Sequence, residues 1–171
     1  VQRIVSHLEE MSLSKELIKA VCSSDELSQK RVLDIVDLKN RINSINEKDN
    51  FLEIQNVITR VSKLANKSDI SKEVLSTRDY VNTKLFEKDC EFKVFEFIGE
   101  LEKLFSEGYC NYLELLNLFE INVKTIEDLF DNEKGVLIMS EDLKIRNNRL
   151  NLLSLIRNYS LKIADFTLLN S

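Results

Sequence analysis

Proline is absent from the 171 residues, glycine occurs three times, histidine once and tryptophan not at all. Average chains carry about 5% proline and about 7% glycine. The shortage removes the residues that shape hairpin turns, sandwich corners and phosphate-cradling loops, and so excludes a β-sandwich, a Rossmann domain and a Pro-rich linker. Three cysteines, Cys22, Cys90 and Cys110, stand far apart with no CxxC pair. A zinc site or disulfide framework therefore lacks ligands, and the bland reading is three buried or half-buried thiols. No run approaches the 18 or so apolar residues of a membrane span. The opening Val1-Gln2-Arg3-Ile4 is neither a signal peptide nor an initiator methionine, so the chain reads as cytoplasmic and as a piece of a longer polypeptide.

What remains is 43% hydrophobic and 31% charged residues, enough to bury one core and written in helix-forming Leu, Lys, Glu, Ile and Asn. The expected fold is all-α, a helical bundle forming a single domain over residues 1–171, with 1–50 a candidate leading helical subregion. Caps and periodicity place the elements. Ser14 reads as an N-cap of a helix to about Cys22, and Ser23-Ser24-Asp25 opens a second to about Asn43, with Leu27, Val32, Ile35, Leu38 and Ile42 inward. A third follows from Phe51 to Asn66, and Ile70 to Lys84 reads as partly helical. Asp89 caps the apolar segment Phe92 to Phe105, which Gly108 ends. Asn111 to Phe119, Val123 to Phe130, a break at Asp131 to Gly135, and a long helix from Glu141 to about Leu161 complete the pattern, with Ala164 to Leu169 after it.

The inventory for catalysis is poor. His7 has no cysteine near it, and no HExxH, GxSxG or Gly-rich phosphate loop occurs. Carboxylate pairs such as Glu9-Glu10, or Asp128 with Asp131, read as solvated helix faces. This stretch is expected to hold no catalytic site.

Charge is more informative. The net charge is −5, yet two stretches run against it. Ile54 to Ser68 carries Arg60, Lys63 and Lys67 with no anion, and Leu143 to Ala164 carries Lys144, Arg146, Arg149, Arg157 and Lys162 with none. At roughly 100° per residue, Asn56, Arg60, Lys63 and Lys67 share an arc of about 60° opposite Val57, Ile58, Val61, Leu64 and Ala65. In the closing helix Arg146, Arg149 and Arg157 lie within about 80°, beside the apolar stripe of Ile145, Leu152, Ile156, Tyr159 and Ile163. Two readings stand side by side: a face for a polyanion, with Arg forking to phosphate and Asn147-Asn148 and Asn151 reading base edges, or pairing with acidic helices such as the one holding Glu91, Glu96, Glu100 and Glu102.

The final third carries a recognisable pattern. It runs Ile126-Glu127-Asp128-Leu129-Phe130-Asp131, then Val136-Leu137-Ile138-Met139-Ser140-Glu141-Asp142, then Ile145-Arg146-Asn147-Asn148-Arg149-Leu150-Asn151-Leu152-Leu153, and closes with Ala164-Asp165-Phe166-Thr167-Leu168-Leu169. It resembles the C-terminal end of the bacterial glycyl-tRNA synthetase beta subunit, whose pattern is close to FFDxVMVMxxDxxLRxNRLALL followed by a helix and ADxSxL. Upstream, Leu17-Ile18-Lys19-Ala20-Val21, Thr59-Arg60-Val61-Ser62-Lys63-Leu64 and Glu107-Gly108-Tyr109 resemble further segments of it in order. Two departures are an insertion, Glu133-Lys134-Gly135, that lengthens one loop, and Lys63 where the family often has asparagine.

The resemblance implies a helical anticodon-binding domain similar to the C-terminal (DALR-like) domains of arginyl-type synthetases. It further implies contact with the anticodon arm of glycine tRNA, with ATP and Mg confined to a catalytic alpha subunit. Partners would be that subunit and the remaining beta-subunit domains, in a heterotetramer. Combined with the charge pattern, it puts Arg60, Lys63 and Lys67 on one helix and Arg146, Asn148 and Arg149 on another as the RNA-binding candidates. Phe130, Asp131 and Met139 match the pattern too, although a Phe and a Met in such a domain serve more often as core than as base platforms. The alternative function is a protein-interaction module whose basic faces dock a partner subunit without RNA.

Overall fold

The central helix of the chain, Leu143–Ser160, has Leu152, Leu153, Leu155, Ile156 and Tyr159 buried, and also Ser154, Arg157, Asn158 and Ser160. A helix buried all round lies inside the bundle rather than on its flank. The computed structural model describes residues 15–27, 35–108 and 111–169, without the side chains of 25–27 and 35. Ser14, His7, Glu9-Glu10, Val32, Tyr109 and Cys110, named above, lie outside the described residues.

Among the described residues there are seven α-helices and no strand: α1 (Lys15–Leu27), α2 (Ile35–Glu47), α3 (Phe51–Ala65), α4 (Asp89–Ser106), α5 (Tyr112–Ile121), α6 (Val123–Leu129) and α7 (Leu143–Ser160). Short 3-10 turns stand at Thr83–Leu85 and Phe166–Leu168. The all-helical expectation holds. One core runs from Leu17 to Phe166, with α3 and α7 as its most extensive helix pair.

Local chemistry explains most boundaries. On α3 the buried positions Ile54, Val57, Ile58, Val61 and Ala65 follow helical spacing. Asp142 caps α7 by accepting from the Lys144 and Ile145 N–H groups, and Asn111 does the same for α5. Asn122 ends α5 and precedes α6, and its side chain donates to the Leu118 carbonyl. Asp89 proves to be the first helical residue of α4, not its cap; Glu91 instead reaches back to accept from the Glu87 and Lys88 N–H groups at 2.9 and 3.2 Å. Gly108, at φ 78°, follows the end of α4 in the left-handed conformation glycine allows.

Two expectations change. The helix expected to break at Ser23-Ser24 continues to Leu27, because the buried Ser24 hydroxyl turns inward and donates to the Leu161 carbonyl. The segment 70–84, expected to be partly helical, is irregular except for Thr83–Leu85. Its own amides make only isolated turn bonds, and side chains of α7 take up its carbonyls: Asn158 donates to Ser71 and Val74, Tyr159 to Leu75, Asn151 to Tyr80 and Asn148 to Asn82. This strap runs antiparallel to α7 across its surface.

The Asp131 to Gly135 break is a tight turn. The Asp131 carboxylate accepts from the Lys134 and Glu133 N–H groups at 2.8 and 2.9 Å, and Val136 N–H returns to the Leu129 carbonyl. A Cβ on Gly135 would lie 2.4 Å from the Asp131 carbonyl oxygen, so the inserted segment closes only with glycine there. The C-terminal turn packs back on the bundle, with the Phe166 ring stacked on Phe51 at 5.6 Å and Asp165 N–H donating to the Ala20 carbonyl.

Candidate nucleic-acid interface

The outer face of α3 presents Asn56, Arg60 and Lys63, and Lys67, expected on the same helix, stands in the turn just past its end; all four are exposed. None of these three cations makes an ion pair with a described residue. The Arg60 guanidinium lies over the Phe130 ring, 4.3 Å from its centroid, a cation–π contact that holds the side chain while leaving its N–H groups toward water. Thr167 and Leu169 form the opposite wall of a groove floored by Asn56, Thr59, Arg60 and Lys63. A side-chain donation from Gln55 to the Leu169 carbonyl closes one end of it.

The second set divides. Arg146 is half-buried and forms no ion pair with a described residue, and Lys144 beside it is exposed. Asn148 and Arg149 are buried, at 5% and 4% exposure, and the expectation that they face RNA beside Arg146 gives way to internal partners. Asn148 pairs with the Asn82 backbone. The Arg149 fork is spent: Nη2 meets Glu87 at 2.8 Å, Nη1 donates to the Leu137 carbonyl at 2.8 Å, and Nε faces Glu91 at 3.5 Å. Pairing with the acidic α4 thus describes Arg149. Glu91 is fully buried, and its carboxylate holds the α4 start and Arg149 together.

Arg157 is also buried, donating to Asn158 Oδ1 at 3.1 and 3.0 Å and to Asn66 Oδ1 at 3.3 Å. Burial pushes its guanidinium below the usual arginine value. The structure therefore brings Arg60, Lys63 and Lys67 together on one surface and places Arg149 and Arg157 inside.

Residues that sequence reasoning passed over lie near α7. Tyr80 and Lys84 line a groove with Lys144 and Asn147, which were noted only as part of a cationic stretch and an amide cluster. Their signal was absent because the strap that carries Tyr80 and Lys84 has no periodicity of its own. Among the described residues no three His, Cys, Asp or Glu side chains are grouped to hold a metal, and no helix is long and apolar enough to cross a membrane. Cys22 and Cys90 are buried, and burial together with Glu91 pushes the Cys90 thiol up.

Among the described residues the chain is an all-helical bundle with a basic face that makes no ion pair with another described residue. No family model matches the chain. Curated relatives do, and all of those compared carry one name, glycine–tRNA ligase beta subunit. The chain is 29% identical to that of Gloeothece citriformis over 174 residues, 31% to that of a Picosynechococcus species over 175, and 30% to that of Trichodesmium erythraeum over 166. These alignments cover 97%, 97% and 93% of this chain but only 24%, 24% and 23% of the relatives. The chain is a homologue of about a quarter of the glycine–tRNA ligase beta subunit, consistent with a C-terminal domain of it.

Proposed function

We propose that the chain is a tRNA-recognition module that binds the anticodon arm of glycine tRNA within a two-subunit glycine–tRNA ligase. The observation that carries this reading is the α3 face and the turn after it, where Arg60, Lys63 and Lys67 stand exposed with no ion pair to a described residue, on a homologue of the beta subunit. Lysine and arginine on one face neutralise backbone phosphates, and an acidic remainder of the chain discourages polyanions elsewhere, so the field favours one docking direction. Half-buried Arg146 and exposed Lys144 add two cations on α7, while Asn148 and Arg149 act from within by holding the strap and the Leu137 loop in place. The partners in this reading are the catalytic alpha subunit, which would bind ATP and Mg, and the rest of the beta subunit in a cytoplasmic heterotetramer. The helical frame would then be of the arginyl-type anticodon-binding kind.

A mobility-shift titration of the intact protein with glycine tRNA, an anticodon-changed control and an unrelated tRNA tests it. Glycine tRNA should bind best, and Arg60→Glu with Lys63→Glu should remove most of that binding while leaving thermal unfolding unchanged. The slope of log affinity against log salt should fall by about 0.7 to 0.9 per lost phosphate contact. Equal affinity for all three RNAs would overturn the specificity. A complex with a protein partner that forms without RNA and is destroyed by the same reversals would instead assign this face to subunit docking.

A further inference from the structure

A second groove lies where the strap crosses the N-terminal part of α7. Its walls carry Tyr80, Asn82 and Lys84 on one side and Lys144 and Asn147 on the other, with Asp79 at the rim. Tyr80 is 41% exposed, an uncommon state for an aromatic ring whose backbone is firmly held. Lys84 and Lys144 are exposed and make no ion pair with a described residue, and Asn147 is exposed as well. Nearby Asp142 is occupied in capping α7. The groove is rigid because its floor is tied to α7: Asn148 takes and gives a hydrogen bond at Asn82, and Asn151 donates to the Tyr80 carbonyl at 2.8 Å.

The groove is also continuous with the α3 face. Ser68, which follows Lys67, donates to Asn151 Oδ1 at 3.2 Å, and Asn151 in turn holds Tyr80. One polar line therefore leads from the last cation of the α3 face to the aromatic ring. Resting on the RNA-recognition reading above, we propose that this groove is the seat of an unpaired ribonucleotide: the base stacks on Tyr80, the Asn147 amide meets its edge, and Lys84 and Lys144 hold the flanking phosphates. The chemistry fits each part. A π-face accepts any base, an amide offers one donor and one acceptor side, and single-stranded RNA exposes both edges and phosphates. The polar line from Lys67 sets the direction in which the strand leaves the helical arm.

The test measures binding of a fluorescein-labelled single-stranded RNA hexamer and of glycine tRNA to the intact protein, for wild type, Tyr80→Ala, Tyr80→Phe, Lys84→Ala with Lys144→Ala, and Arg60→Glu with Lys63→Glu. The Tyr80 ring takes no part in the tethers, which use its carbonyl, so the Ala variant should keep its fold by circular dichroism. Tyr80→Ala should weaken hexamer and tRNA about tenfold, and Tyr80→Phe should stay within about twofold, because loss of one stacked base is worth roughly a factor of ten. The lysine pair should weaken both RNAs and flatten the salt dependence. If Tyr80→Ala binds both RNAs like wild type while the α3 reversals still abolish tRNA binding, the groove proposal falls and the α3 reading stands. A hexamer that binds but ignores Tyr80 also overturns the groove. Binding of neither RNA by wild type overturns both readings.

Discussion

Asn148 and the backbone of Asn82 exchange two hydrogen bonds, 2.7 Å from the Asn82 N–H to Oδ1 and 3.0 Å from Nδ2 to the Asn82 carbonyl. A buried side chain on α7 thus does for the strap what a neighbouring strand does in a sheet.

Replacing Asn148 with Leu removes both bonds while keeping the number and branching of the side-chain heavy atoms. The expected loss is about 1–2 kcal/mol in urea denaturation, with faster hydrogen exchange at the Asn82 amide. Asn148→Asp keeps the acceptor but turns a buried carboxylate oxygen toward the Asn82 carbonyl and should cost more than Leu at neutral pH. An unchanged midpoint together with unchanged exchange would show that the pair is incidental.

Arg149 and Glu91 should be costlier to separate. Arg149→Met leaves the buried Glu91 carboxylate without its cation, a change worth about 3–5 kcal/mol where a buried pair is broken from one side. Changing Glu91 to Gln in the same chain should recover part of that loss, so a double-mutant cycle is expected to be strongly non-additive. Arg149→Lys keeps a cation for Glu91 but cannot fork to Glu87, Glu91 and the Leu137 carbonyl at once, and should fall between wild type and Met. Additive single effects would refute the coupling.

The turn after α6 has a pH signature. The Lys134 and Glu133 N–H groups hold the Asp131 carboxyl below its ordinary 3.8, since hydrogen bonds to the charged form favour it. A depressed folded-state value means the contribution is present above 3.8 and lost as pH falls through the lower folded value. A carboxyl-detected NMR titration should place the Asp131 midpoint below 3.8, with the Glu133 and Lys134 amide shifts following the same curve. A midpoint at or above 3.8 would contradict the turn geometry.

Much of the helix pattern could be read from the chain, because α3 through α7 obey local rules: apolar spacing on α3, Gly108 as the stop after α4, and the break at Asp131 to Gly135 ahead of α7. The α3 cations were legible for the same reason, since a surface face is set by periodicity alone. The strap was not, because its carbonyls are satisfied from α7 by residues 66 to 87 positions away in sequence, a pairing that no local window contains. Arg146, Arg149 and Arg157 show the limit of a helical wheel. They share a sector, yet that sector meets the start of α4 at Arg149 and the end of α3 at Arg157 while Arg146 lies nearer the open end. Sector identifies which way a residue points, and only the neighbours decide whether that direction is water.

The tethers between strap and α7 span Asn148 to Tyr159, about 16 Å of helix, while the segment from 71 to 82 that they fasten could reach about 36 Å if drawn straight. The strap therefore carries roughly twice the contour it needs, and the surplus is folded away between anchor points, including the left-handed Asp79 at φ 67°. Slack of this kind separates two roles that usually compete. The anchored residues keep a fixed address on α7, and the stretch between Leu75 and Tyr80 spends its surplus reaching a second helix, where the Thr77 N–H donates to Glu102 of α4 at 2.7 Å.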